Sequence, residues 1–228
     1  MRSLCYLLVF LGCLLCPQGT EGQESPLFQS QQNLKLSLVT IKAFNMNFSG
    51  VDSNILRAFG QEHRGNGIIV DSSGIIVTNN HVIAGARHIL VTMSDGKTVE
   101  ARVLYNGTLD FCFLKIPQPL PLRAIARANF SETKPGDRVI ALPYDQGVIE
   151  GSIVRLINGA ASETEFLELD LNLHPGDSGG PVLSAQGSLL GLIMGQKKSD
   201  THKSYAISSQ RIWKEYRQFN GSVLVGAE

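Results

Sequence analysis

His174-Pro175-Gly176-Asp177-Ser178-Gly179-Gly180-Pro181 is the stretch on which the reading of this chain turns. Three glycines around one serine allow a tight turn that exposes the Ser178 hydroxyl at no steric cost. Gly176 can adopt a backbone conformation that points its N–H inward, and Ser178 supplies a second N–H. Two converging N–H groups mark the place where the oxyanion of an acyl transfer would form. Alone, the octapeptide is moderately specific, a plain Gly/Ser turn being the alternative. A reactive serine also needs a base to take its proton and an acid to orient that base.

Thr78-Asn79-Asn80-His81-Val82 lies about a hundred residues upstream, after the apolar run Ile75-Ile76-Val77, so His81 sits at a strand end. The bland alternative is an exposed turn histidine. Of the other histidines, His63 and His202 fall in polar loops and His88 begins a strand candidate. His174 is four residues before Ser178 and reads as lining a cleft. Asp110 abuts the apolar run Phe111-Cys112-Phe113-Leu114, where a charge is costly unless it has a partner. A hydrogen bond to His81 would provide one; a cap at a strand start is the alternative.

Composition bounds the class. The chain has 228 residues, and its 20 basic and 20 acidic residues cancel. That length supports a sizeable core. No basic run marks a nucleic-acid or membrane surface, so nucleic acid is excluded as a partner class. There is no paired-Cys or HExxH spacing, so neither a metal nor a cofactor is expected. Gly65-Asn66-Gly67 opens a strand rather than a helix, which argues against a phosphate loop.

The N-terminus has its own logic. Arg2 precedes an apolar run from Leu4 to Cys16, followed by polar residues to Glu24. The run is too short to span a membrane and matches a secretory h-region, with Thr20-Glu21-Gly22 at a cleavage position. Residues 1–22 are therefore expected to be a signal peptide, and the protein to be exported. Phe10-Leu11-Gly12-Cys13 is a poor lipoprotein box; a lipid anchor at Cys13 is the minor alternative. Removal of the signal leaves Cys112 alone, a small core hydrophobe with no disulfide partner. Asn47, Asn106, Asn129 and Asn220 each begin an N-glycosylation sequon, and their modification stays open.

Residues 23–33 read as a loose polar lead-in. Strand candidates then follow at 34–43, 67–70, 75–78, 88–93, 98–104 and 111–116, with a short capped helix at 51–59. Pro117-Gln118-Pro119-Leu120-Pro121 cannot be helix or strand interior and reads as a link between halves. Further strands fall at 138–142, 148–157, 165–169, 181–183, 189–194 and 204–207. A final amphipathic helix, about 209–220, starts at Ser208 or Ser209. It carries the stripe Ile212, Trp213, Tyr216 and Phe219 and is followed by Gly221. The expected fold is all-β: two antiparallel six-stranded barrels, about 34–116 and 122–208, with a C-terminal helix. A site would sit in the groove between them. No internal sequence repeat is visible.

Taken together, Gly67–Val70, Ile76–Ile83, Asp110 with Leu114-Lys115-Ile116, and Pro175–Pro181 resemble the HtrA/Deg branch of the trypsin-like serine proteases. His81, Asp110 and Ser178 occur in the chymotrypsin-type order, 29 and then 68 residues apart. The likeness continues in Gly191-Leu192-Ile193 and Tyr205-Ala206-Ile207. It implies that residues 34–228 form a trypsin-like protease domain. It also implies a serine endopeptidase working through an acyl-enzyme on protein or peptide substrates, with protein quality control as the candidate role. Ser178 would be nucleophile, His81 general base and Asp110 its orienter; the N–H groups of Gly176 and Ser178 would form the oxyanion hole. Leu173, Leu192, Ile193 and Met194 would line the specificity pocket. With Asn172 and Leu173 where an acidic floor would stand, cleavage is expected after small or medium apolar residues.

Three departures from the family pattern stand out. Asp177 replaces the Asn usual in this branch. No Ile-Val-Gly-Gly-type activation site is present to supply the ammonium that pairs with such an Asp elsewhere, so Asp177 needs another partner or faces solvent. The chain ends at Glu228, so no PDZ domain is expected. Residues 44–66 are not family-like, so the oligomeric state is open. A catalytically silent binding or chaperone-like module is the alternative function, opposed by the intact His81, Asp110 and Ser178.

Overall fold

A computed structural model describes residues 34–45, 62–117, 122–143, 147–160, 163–197 and 200–225. The expected signal segment, the lead-in, the helix at 51–59, Asn47 and most of the proline-rich link lie outside these. Among the described residues, twelve strands close into two six-stranded antiparallel barrels. The first contains β1 (Leu38–Phe44), β2 (Glu62–Asp71), β3 (Ile75–Thr78), β4 (His88–Met93), β5 (Thr98–Asn106) and β6 (Cys112–Lys115). The second contains β7 (Arg138–Ala141), β8 (Ile149–Asn158), β9 (Thr164–Asp170), β10 (Pro181–Ser184), β11 (Leu189–Lys197) and β12 (Asp200–Ser208). Each barrel runs in the same order, first-second-third-sixth-fifth-fourth, closed by pairing of the first strand with the fourth. The repeat therefore exists in topology although none is visible in sequence.

Three cores hold the molecule together. Val39, Ile41, Ile76, Val91, Cys112 and Leu114 fill the first barrel. Val139, Ile153, Leu167, Leu169, Val182 and Ala206 fill the second. The third core lies where the barrels meet: Ile68, Ile75, Val77, Phe111 and Phe113 pack against Leu183, Leu189, Leu192 and Ile207. This explains why β3 and β6 read as unbroken apolar runs rather than alternating ones. All four residues of Ile75–Thr78 are buried, because Ile76 faces the barrel interior while Ile75 and Val77 face the joint. Alternation is lost wherever both faces of a strand are covered. Cys112 is inside the first barrel, fully buried, and burial followed by the nearby Asp110 charge pushes its thiol up to about 12. A thiol held neutral in this way is a packing group.

The C-terminal helix α1 (Ser209–Val225) closes the joint. Its Ile212, Trp213 and Tyr216 enter the inter-barrel core, with Tyr216 edge-on to Phe113. Arg127, from the connection between barrels, lies 3.9 Å above the Trp213 ring. Sequence expectations are corrected at element ends: β2 and β12 extend over His63 and His202, which were expected in polar loops. The first strand starts at Leu38 rather than Leu34. Leu34 and Lys35 are helical, the Ser37 N–H turns back to the Leu34 carbonyl at 2.9 Å, and Leu36 is left exposed. The helix also continues past Gly221, since a single glycine costs about 1 kcal/mol in a helix interior without ending it.

The helix also anchors the segment that leads to Asp110. Glu215 is buried, and its carboxylate accepts the Thr108 N–H (3.0 Å), the Thr108 hydroxyl (2.5 Å), the Tyr105 hydroxyl (3.1 Å) and Arg211 Nε (2.8 Å). Burial pushes this carboxyl up, but the hydrogen bonds from Thr108, Arg211 and Tyr105 together hold it below its ordinary value. A depressed carboxyl contributes stability above its unfolded value, and that contribution fades as pH falls through the folded one. Glu215→Gln should therefore cost about 2 kcal/mol near neutral pH, a Tm fall of roughly 4–8 °C. Thermal unfolding of parent and variant should converge below about pH 4. An equal deficit at both pH values would contradict the role of the charge.

Candidate active site

His81 is the middle residue of a 3-10 turn, Asn80–Val82, that follows β3 directly. Its backbone N–H donates to Asp110 Oδ1 at 3.0 Å, and its ring Nδ1 lies 2.6 Å from Asp110 Oδ2. Both carboxylate oxygens are thus committed to one residue. A carboxylate only accepts, so this partner assigns the hydrogen to Nδ1 and leaves Nε2 as the basic nitrogen. The hydrogen bond to Asp110 raises the His81 pKa; partial burial opposes it, and the charge of Asp110 adds to it. Half of the His81 side chain remains open to solvent.

The two residues before His81 hold the same segment. Asn79 Nδ2 donates to the Asp110 carbonyl at 2.8 Å, and Asn80 Nδ2 to the Leu109 carbonyl at 3.1 Å. Residues 79, 80 and 81 therefore all grip residues 109–110 from one side, while Glu215 grips Thr108 from the other. Sequence reading passed over Asn79 and Asn80. The available signal was two adjacent amides directly after a fully apolar strand, where unpaired polar groups are costly.

Ser178 lies in the loop between β9 and β10. Gly176 and Gly179 both have positive φ, 105° and 82°. The loop's N–H groups are almost all used. His174 N–H donates to Asp177 Oδ2 (2.6 Å), and Asp177 N–H to the His174 carbonyl (3.1 Å). Gly179 N–H donates to Ile193 and Gly180 N–H to Asp177. Among the described residues, the N–H groups of Gly176 and Ser178 donate no hydrogen bond. Asp177 proves to be buried inside its own turn rather than facing solvent, and burial raises its pKa against the pull of His174. His174 itself is exposed and holds Asp177 through its backbone.

The Ser178 hydroxyl donates to the Met194 carbonyl at 3.3 Å rather than to His81. Serine loop and histidine turn nevertheless meet at Gly65. A methyl group there would come within 2.7 Å of Val82 and 3.0 Å of the Ser178 carbonyl. Of the residues expected to line a pocket, Leu173 and Ile193 are buried in the second barrel and Leu192 in the inter-barrel core. Met194 is half-buried beside Ser178. Among the described residues, no group of three His, Cys, Asp or Glu is arranged to hold a metal.

Comparison with known proteins agrees with this fold. The sequence pattern of the trypsin-like peptidase domain matches residues 65–192, more than half of the chain, and that span includes His81, Asp110 and Ser178. The serine endoprotease DegS of Escherichia coli K12 is 30% identical over 190 residues, covering 80% of this chain and 53% of DegS. The periplasmic serine endoprotease DegP of Salmonella typhimurium is 31% identical over 137 residues, covering 56% of this chain and 29% of DegP. The chain thus spans about half or less of the length of these relatives. Among solved structures, a serine endoprotease from Yersinia pestis superposes with a TM-score of 0.66 at 25% identity, covering 86% of this chain and 67% of that one. The HtrA-type protease AlgW, solved with a decapeptide, gives a TM-score of 0.68 at 22% identity, over 84% and 66% of the two chains, and supports the fold alone. With barrels and sequence pattern in agreement, the chain belongs to the trypsin-like peptidase domain family.

Proposed function

We propose that this protein is an exported serine endopeptidase, with Ser178 as nucleophile, His81 as general base and Asp110 as the group that orients His81. The observation that carries the proposal is the two-point hold of Asp110 on His81, which leaves Nε2 as the basic nitrogen. In the first step, Ser178 Oγ attacks the scissile carbonyl carbon while Nε2 takes the hydroxyl proton. The carbonyl oxygen becomes the oxyanion and accepts from the free N–H groups of Gly176 and Ser178. Imidazolium then protonates the leaving amine, and the C–N bond breaks to give the acyl-enzyme. Water repeats the sequence and restores the serine. The serine hydroxyl must first turn away from the Met194 carbonyl, a rotation about χ1 between staggered wells. Cleavage after small or medium apolar residues fits the half-buried Met194 beside Ser178. Export rests on the N-terminal sequence and on DegS and DegP, the latter named as periplasmic.

Fluorophosphonate should label the purified protein and leave Ser178→Ala unlabelled. Labelling that survives in Ser178→Ala would place the reactive group elsewhere. Absence of labelling and of peptide hydrolysis in the parent would favour a binding module.

The pH dependence follows from His81. A raised pKa keeps the ring protonated, and so unable to act as base, over a wider acidic range. The acid limb of kcat/KM should therefore have its midpoint above the ordinary histidine value of about 6.5. Asp110→Asn should move the midpoint down and reduce kcat by on the order of 10⁴. A midpoint unmoved by the substitution would contradict the assignment.

A further inference from the structure

Asn66, in β2 of the first barrel, is buried between Gly65 and Gly67, and its hydrogen bonds reach both halves of the site. Its side-chain Nδ2 donates to the Gly176 carbonyl at 2.8 Å and lies 3.5 Å from the Ser178 carbonyl. Its backbone N–H donates to the Ser178 carbonyl at 2.8 Å. Its own carbonyl accepts the Thr78 hydroxyl at 2.7 Å, and Thr78 ends the strand that leads into the His81 turn. One residue of the first barrel therefore holds both ends of the 176–178 step in the second barrel, and the strand of the base as well.

Gly176 needs such a hold. Its φ of 105° is open to glycine at no cost, and nothing lies within 4 Å of where a Cβ would be. Packing does not restrain this exposed peptide, and a glycine can turn over with little steric resistance. The side-chain amide of Asn66, fixed by burial, holds the Gly176 carbonyl and with it the peptide that joins Gly176 to Asp177. With that end of Gly176 fixed, its N–H, which belongs to the peptide from Pro175, can turn only about the φ of Gly176 and the ψ of Pro175. We propose that Asn66 is a positioning residue that keeps the Gly176 N–H aimed as an oxyanion donor and in register with His81. The proposal rests on the serine endopeptidase reading of the site.

Asn66→Asp keeps the shape but replaces the donor with a carboxylate facing two carbonyl oxygens; Asn66→Ala removes the donor without adding repulsion. Both are to be measured as turnover per active site, titrated to completion with fluorophosphonate on the full chain. Expected are a kcat lower by about 10-fold to 100-fold in Asn66→Asp, a smaller loss in Asn66→Ala, a KM close to the parent's, and an unchanged acid limb, since His81 keeps Asp110. If Asn66 served only to hold the fold, the titre would fall while turnover per titrated site stayed parental. Parental kcat per site in whichever of the two variants folds overturns the proposal. A parent that is not labelled at all overturns instead the reading of the site on which it stands.

Discussion

The structure depends on how closely one strand of the first barrel passes the serine loop of the second. A Cβ on Gly179 would lie 2.0 Å from the Asn66 carbonyl oxygen, a distance no side chain can occupy. A Cβ on Gly65 would meet Val82 and Ser178, and one on Gly67 would meet Ile76 and Ile41. Only glycines allow β2 to thread between the histidine turn and the serine loop. That approach lets the Asn66 backbone N–H and side-chain amide, each 2.8 Å from a carbonyl of the serine loop, tie together two halves that share no strand. Apolar burial supplies the adhesion between barrels; the glycines and Asn66 determine their register at the site.

Around this seam, several buried or half-buried polar groups orient the segments of the site. Glu215 sits under the helix and engages Thr108, Tyr105 and Arg211. Asn79 and Asn80 reach the backbone of residues 109 and 110. Asp177 closes its own turn through His174. In a low-dielectric interior each of these would be costly unpaired. Paired, they restrict the position of Asp110 and of the serine turn, neither of which lies inside a regular strand. The turn of Asp177 also answers how this loop keeps its form with a carboxylate where an N-terminal ammonium might have been sought: the partner is a backbone N–H three residues away.

Much of this was legible in the chain. Short β-branched runs separated by glycine turns located the strands, and β3 and β4 match their expected limits residue for residue. The contact of Asp110 with His81 was readable because a charge beside Phe111-Cys112-Phe113 needs a partner. Other features were hidden for physical reasons. The bonds from Asn66 and from Glu215 to the site segments each join residues more than a hundred positions apart, and no local pattern encodes such a pairing. Leu36 followed the alternation of a strand, yet the turn at Leu34–Ser37 leaves it exposed. Gly221 resembled a helix stop, but a stop requires a cap geometry and not merely a glycine. Leu192 and Ile193 were read as one pocket wall, whereas their alternation along β11 sends them to different cores.

Mixing the protein rapidly with a p-nitrophenyl ester, and mapping the acyl group on protein quenched during the first turnover, tests the central claim most directly. The account predicts a stoichiometric burst of p-nitrophenolate ahead of steady hydrolysis, with the acyl group on the peptide containing Ser178. Ester hydrolysis without a burst or an adduct, or an adduct on any other residue, would contradict it.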